Sequence, residues 1–161
     1  MPRMTFCAFV CAGLINGLVG CGSSDSSDLN STDPRNYGPN PDLTPGELCT
    51  PEDPDFDGYR YAQRIPHCRR HVTRDDKYDI GKTYGISPDQ FHKYEFDHYL
   101  SLSYGGSNSE LNVWPLIKPI AREKSRYEQY LFDEVSSGRM TQVQAVENIK
   151  SWRPENTNTQ Y

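Results

Sequence analysis

Apolar residues are scarce in this chain. Only 35% of its 161 positions are hydrophobic, while glycine and proline contribute 12 each, so a compact core must share the sequence with segments that bury little. At this length one domain of about 100–150 residues with a leader or tail is expected, and two sizeable cores are excluded. An excess of positive charge is also missing. The formal charge is −5, which taken as an average disfavours a phosphate-rich partner. The average conceals a division: residues 21–57 hold nine acids and one base, Arg35, whereas residues 58–161 hold fifteen bases and thirteen acids. Between Gly58 and Arg74 there is no Asp or Glu, and Arg60, Arg64, Arg69, Arg70 and Arg74 are interleaved with Tyr59, Tyr61, His67 and His71. That composition suits either a surface facing a phosphate backbone or a solvated basic face paired with acids elsewhere.

The extended apolar stretch at residues 4–20 is too short for a permanent bilayer span. Cys21 and a Ser/Asp-rich run follow it and read as a flexible tether. Leu18-Val19-Gly20-Cys21 resembles the bacterial lipoprotein signal. The resemblance implies a signal peptide at residues 1–20, lipidation of Cys21, and an acidic tether at 21–57 that holds a domain at 58–161 outside the cytoplasm, anchored to a bacterial membrane. An ordinary cleaved signal or an uncleaved anchor is the alternative. With Cys7 and Cys11 in the leader and Cys21 lipidated, Cys49 and Cys68 remain, and two thiols in an oxidising space imply one disulfide. A zinc site at Cys68 with the flanking His67 and His71 competes, although no second close cysteine pair accompanies it.

Six prolines between residues 34 and 57 predict irregular chain, with regular structure from about Tyr59. Residues 77–86 read as a short strand and a Gly-marked turn, 94–102 as a strand, 104–110 as a loop, and 111–117 as a second extended run containing Pro115. Pro119 suits a first helical turn, and Ile120, Lys124, Tyr127, Leu131 and Val135 follow at helical spacing up to Gly138. Thr141 and Gln144 form a capping box for another helix to about Trp152, with Val143, Val146, Ile149 and Trp152 on one face.

Asp97-His98, Gly105-Gly106-Ser107, Asn112-Val113-Trp114-Pro115 and the helix after them resemble the HNH, or His-Me finger, endonucleases. What the resemblance implies is an α+β fold: a ββα-metal hairpin and helix, an added C-terminal helix, and an irregular disulfide-linked N-terminal part. It further implies a monomeric, metal-dependent endonuclease acting on DNA or RNA with one divalent ion, Mg²⁺ or alternatively Mn²⁺ or Zn²⁺. His98 would be the general base, since an imidazole titrating near neutrality can take a proton from water. Asp97 would be a metal ligand. Asn112, fourteen residues after His98, would steady the loop and the imidazole. The pattern departs at Ala121, where many of these enzymes carry a helix His or Asn. Glu128 is the expected substitute ligand, with Glu123 as the alternative, and Arg122, Lys124 and Arg126 would clamp a phosphate near the helix start. Gly105-Gly106 is expected to make the turn and nothing more, Trp114 to pack the hairpin on the helix, and His92 to lie on the surface. The competing functional class is a degenerate HNH-fold lipoprotein that binds nucleic acid or protein without cutting.

Overall fold

The computed structural model describes residues 38–154. The predicted leader, the Cys21 lipidation site and residues 21–37 of the predicted tether lie outside them. The described chain is a small α+β structure with two antiparallel two-stranded sheets and three α-helices. No helix among the described residues is long and apolar enough to cross a membrane.

Strands β1 (Phe56–Arg60) and β2 (Ile65–Cys68) form the first hairpin. Helix α1 (Arg74–Thr83) occupies most of the segment expected as a strand. Its start is set by a capping box, with the Thr73 hydroxyl accepting from the Asp76 N–H and the Asp76 carboxylate accepting from the Thr73 N–H. Asp75 and Asp76 in the first turn and Lys82 in the last complement the helix dipole. Gly81, which suggested a turn, is instead a packing residue: a Cβ there would lie 2.6 Å from the Phe91 ring.

After a 3₁₀ turn at Pro88–Lys93, strand β3 (Tyr94–His98) pairs with β4 (Val113–Ile117), setting Asp97 opposite Trp114 and His98 opposite Val113. Helix α2 (Lys118–Ser136) begins at the residue after β4, and α3 (Gln142–Ser151) follows with the Thr141/Gln144 capping box intact. In α3 the inward face runs through Ala145 and Ile149. Val143, expected inside, is 65% exposed, because a position two residues before Ala145 lies about 200° around the helix from it.

Two apolar clusters hold the elements together. One joins Ile80 and Tyr84 to Val113, Trp114 and Leu116 of β4 and to Ile120 and Ala121 of α2. The other joins Ile65 and Leu100 to Leu131 and Val135 of α2 and to Ala145 and Ile149 of α3. Ala121 is thus a core residue, and Trp114 packs the hairpin as expected. His92 is exposed.

The expected domain start at residue 58 falls inside this packed body. Thr44 is fully buried and accepts from the Tyr84 hydroxyl at 2.7 Å, and Leu48 bridges to Gly106. A disulfide joins Cys49 to Cys68 and pins this segment to β2. The pairing uses both thiols, which removes the zinc alternative with His67 and His71, and it fits an oxidising compartment outside the cytoplasm. Gly105-Gly106 does more than turn: a Cβ on Gly106 would stand 1.8 Å from the Leu100 carbonyl oxygen, so the loop backbone lies directly on the chain that leaves β3.

Replacing Cys49 and Cys68 together by serine should lower stability by about 3 kcal/mol, the order expected for a cross-link closing a loop of this length. Urea unfolding of the oxidised wild type against the double variant measures it, and equal midpoints would contradict the role assigned to the bridge.

Candidate active site at the end of β3

His98 is the last residue of β3 and is 1% exposed. Its Nε2 lies 3.0 Å from Asn108 Oδ1. The Asn108 amide is oriented by three other bonds: its Nδ2 donates to Asp55 Oδ2 at 3.0 Å and to the Arg69 carbonyl at 2.6 Å, and its Oδ1 also accepts from the His71 N–H at 3.1 Å. Oxygen therefore faces His98, and Nε2 must carry the proton and donate. The Nδ1 atom is left buried and without a partner among the described residues. Burial pushes the His98 pKa below its ordinary 6.5, and the positive charges of Arg70 and Lys124 push the same way against Asn108 and Asp97. The neutral ring thus presents a basic lone pair at Nδ1.

Neither Asn108 nor Asp55 was legible as a site residue. Asn108 belongs to a loop ten residues past His98, and Asp55 to a segment read as tether. Asp55 also holds His71, with Oδ1 2.9 Å from His71 Nδ1. Asn112 is fully buried; its Oδ1 accepts from the Leu100 N–H at 2.9 Å, and its Nδ2 donates to the carbonyls of Leu100 at 2.9 Å and Ser107 at 2.8 Å. It closes the loop just beyond His98 and makes no hydrogen bond to the imidazole itself.

Asp97 points to α2, where its Oδ2 accepts from Lys124 Nζ at 2.7 Å. The same ammonium donates to Glu128 Oε1 and to the His98 carbonyl, each at 2.7 Å. Lys124 is therefore not the exposed phosphate clamp expected of it, since its side chain is 3% exposed. Burial alone would lower its pKa, but Asp97 and Glu128 outweigh burial and raise it. Burial raises Glu128 to about 7, with Lys124 opposing and Asp97 adding to the rise. One ammonium does not offset the burial of Glu128 beside a second carboxylate, so the Glu128 carboxyl stays above its ordinary range. Tyr104, fully buried with an unpartnered hydroxyl, has a pKa raised well above 10, by burial first and then by Glu128 and Asp97.

The two carboxylates expected as metal ligands, Asp97 and Glu128, do converge, but on Lys124 Nζ, at 2.7 Å each. His98 does not join them in a group of three ligand atoms within 4.8 Å of one another. Among the described residues that spacing occurs at Cys49, Asp53 and Cys68, where the two sulfurs are already bonded to each other. Ala121 offers no donor, and one Glu123 oxygen is buried without a partner, apart from this cluster's hydrogen bonds.

Arg122 and Arg126 are exposed on α2 and form no ion pair among the described residues. Arg70 is the guanidinium whose charge reaches both His98 and Glu128. The other arginines of the basic stretch are engaged locally. Arg60 pairs with Asp57 at 2.9 Å, Arg69 reaches the same carboxylate at 4.0 Å, and Arg64 and Arg74 lie over the rings of Tyr59 and Tyr78. Arg70 and Lys77 instead line a cleft of about 440 Å³ together with Glu95 and the rings of Phe91, Tyr94 and Phe96.

In an NMR titration of the imidazole nitrogens, His98 should remain the neutral Nε2–H tautomer at pH 6.5 and protonate only below it. Asn108→Ala should lower that midpoint further, because the lost hydrogen bond is one that raises it. A midpoint above 6.5, or an Nδ1–H tautomer, would contradict the assignment.

No family model matches the chain, and no curated protein or solved structure is significantly similar to it, so its functional reading rests on these residues.

Proposed function

We propose that this chain is an endonuclease of the His-Me finger type that hydrolyses phosphodiester bonds outside the cytoplasm. The observation that carries this reading is His98: a neutral imidazole, locked in one tautomer by Asn108, with Nδ1 unpartnered. It sits at the end of a β-hairpin that runs directly into a helix, the order of elements that the motif residues imply.

In this mechanism the water oxygen attacks phosphorus while His98 Nδ1 takes its proton. The new P–O bond forms as the bond to the leaving oxygen breaks, and that oxygen is protonated from solvent. Arg70 offsets charge on the phosphoryl oxygens, because its guanidinium is free among the described residues and can donate twice to phosphate. Nδ1 is shielded from bulk water here, so the base meets its water only when substrate opens that side of the ring. The cleft of Arg70 and Lys77, where two cations outnumber the one carboxylate of Glu95, suits the strand next to the cut bond: cations for phosphates, aromatic walls for bases. By contrast, the cavity of about 470 Å³ that Asn108 and His71 also line holds Asp53, Asp55, Asp76, Asp79 and Glu110 and repels a polyanion.

The full chain should cut plasmid DNA or RNA, and His98→Ala should slow cutting by ~10²–10⁴-fold, the usual contribution of a positioned base, with an unchanged circular dichroism spectrum. If the wild type cuts no nucleic acid with or without added Mg²⁺ yet binds it with a steep salt dependence, a binding module replaces the nuclease.

The lipid anchor is part of the same proposal and rests on the Leu18–Cys21 pattern. Cys21→Ser should move the protein from the membrane fraction to the soluble fraction, and continued membrane retention would favour an uncleaved anchor.

A further inference from the structure

We propose that Lys124 is a built-in cation that takes the place of a divalent metal between Asp97 and Glu128. The inference borrows from the proposed function only the location of the site, and its test does not depend on turnover.

An ammonium group has three donors and no acceptor. Lys124 uses all three, on Asp97 Oδ2, Glu128 Oε1 and the His98 carbonyl, each at 2.7 Å. These are charge-assisted distances for nitrogen and oxygen. A magnesium ion would need oxygens at about 2.0–2.1 Å in an octahedron that keeps several waters. It would also have to displace an ammonium whose side chain is 3% exposed, and an ammonium forced off its partners inside a protein is strongly unfavourable. One cage cannot hold both cations.

The occupant is tethered, so it also fixes geometry. Lys124 stands on α2 and ties down Asp97 together with the carbonyl of His98, the terminal residue of β3. It is a positioning residue: it holds the strand end from which the imidazole projects and does not touch substrate. A bound metal would be lost to a chelator, whereas a covalently attached ammonium is not.

Removing the ammonium should turn the cage into the site it replaces. Lys124→Ala leaves two carboxylates and a carbonyl facing a vacated volume, a donor set of the kind hard divalent ions use. Mn²⁺ is the probe, read by electron paramagnetic resonance on the full chain. The wild type should show no Mn²⁺ site that depends on Asp97. Lys124→Ala should bind Mn²⁺ about tenfold or more tightly than the wild type, with the gain lost in Lys124→Ala/Glu128→Gln. Mn²⁺ should also raise the melting temperature of Lys124→Ala and not of the wild type.

Wild-type binding of Mn²⁺ that disappears in Asp97→Asn overturns the proposal, and that comparison needs no Lys124 variant to fold. A folded Lys124→Ala that gains no site overturns it as well. If the Mn²⁺ results are as expected and no nucleic acid is cut, the cage stands and the nuclease falls. If cutting requires Mg²⁺ and Asp97 binds Mn²⁺ in the wild type, the nuclease stands and the cage falls.

Discussion

One ammonium group holds the long helix to the strand that carries the candidate base. Charge is seldom buried in proteins because removing an ion from water is so unfavourable, and a buried cation persists only where its partners are complete. At Lys124 they are complete, and the partners come from β3 and α2. Whatever these elements do, they do together. The apolar clusters supply most of the driving force for folding, but they tolerate small slips of one surface over another. Two short charge-assisted hydrogen bonds from Lys124 to β3 do not, so this cluster fixes the register between helix and strand.

A second constraint arrives from the opposite side. The segment before β1, read as tether, supplies Asp55, and the chain after β2 supplies the Arg69 carbonyl; between them they orient Asn108, and Asn108 orients His98. The disulfide explains how so proline-rich a stretch can serve: it fastens Cys49 to the end of β2, so the preceding residues are held against the body by a covalent bond where apolar area is thin. The site is thus assembled from five separated parts of the chain, around residues 55, 69, 97, 108 and 124, of which the first two lie outside the hairpin and helix.

The contrast between what the sequence reveals and what it hides follows from range. β3, β4, α2 and α3 were legible because their signals are local: alternation in residues 94–102, of which the strand uses Tyr94–His98, helical spacing from Ile120 to Val135, and a capping box at Thr141. Helix α1 was missed because Gly81 and Gly85 look like turn residues until the Thr73 cap and the Phe91 ring are in view. Asp97 and His98 stood out by motif, but their partners did not. Nothing in the spacing of Asn108 or Asp55 marks them, since each acts across the fold. Lys124 stands at helical spacing on α2, i, i+4 from Glu128, yet periodicity alone does not tell whether a lysine flanked by Arg122 and Arg126 snorkels to solvent or turns inward.

The junction between β4 and α2 contains no linker: Ile117 ends the strand and Lys118 opens the helix. Each residue added to a helix start rotates everything beyond it by about 100° and advances it by about 1.5 Å. A one-residue insertion or deletion at this junction would therefore swing Lys124, together with Glu128, a quarter-turn or more away from Asp97, leaving the half-buried Asp97 carboxylate without its cation. The turn at Gly138 carries no comparable gearing, since a Cβ there would meet nothing within 4 Å and no residue of the site depends on it. Variation in chain length is therefore expected to gather in open turns of that kind and to spare the boundary between residues 117 and 118, which works as a fixed axle between sheet and helix.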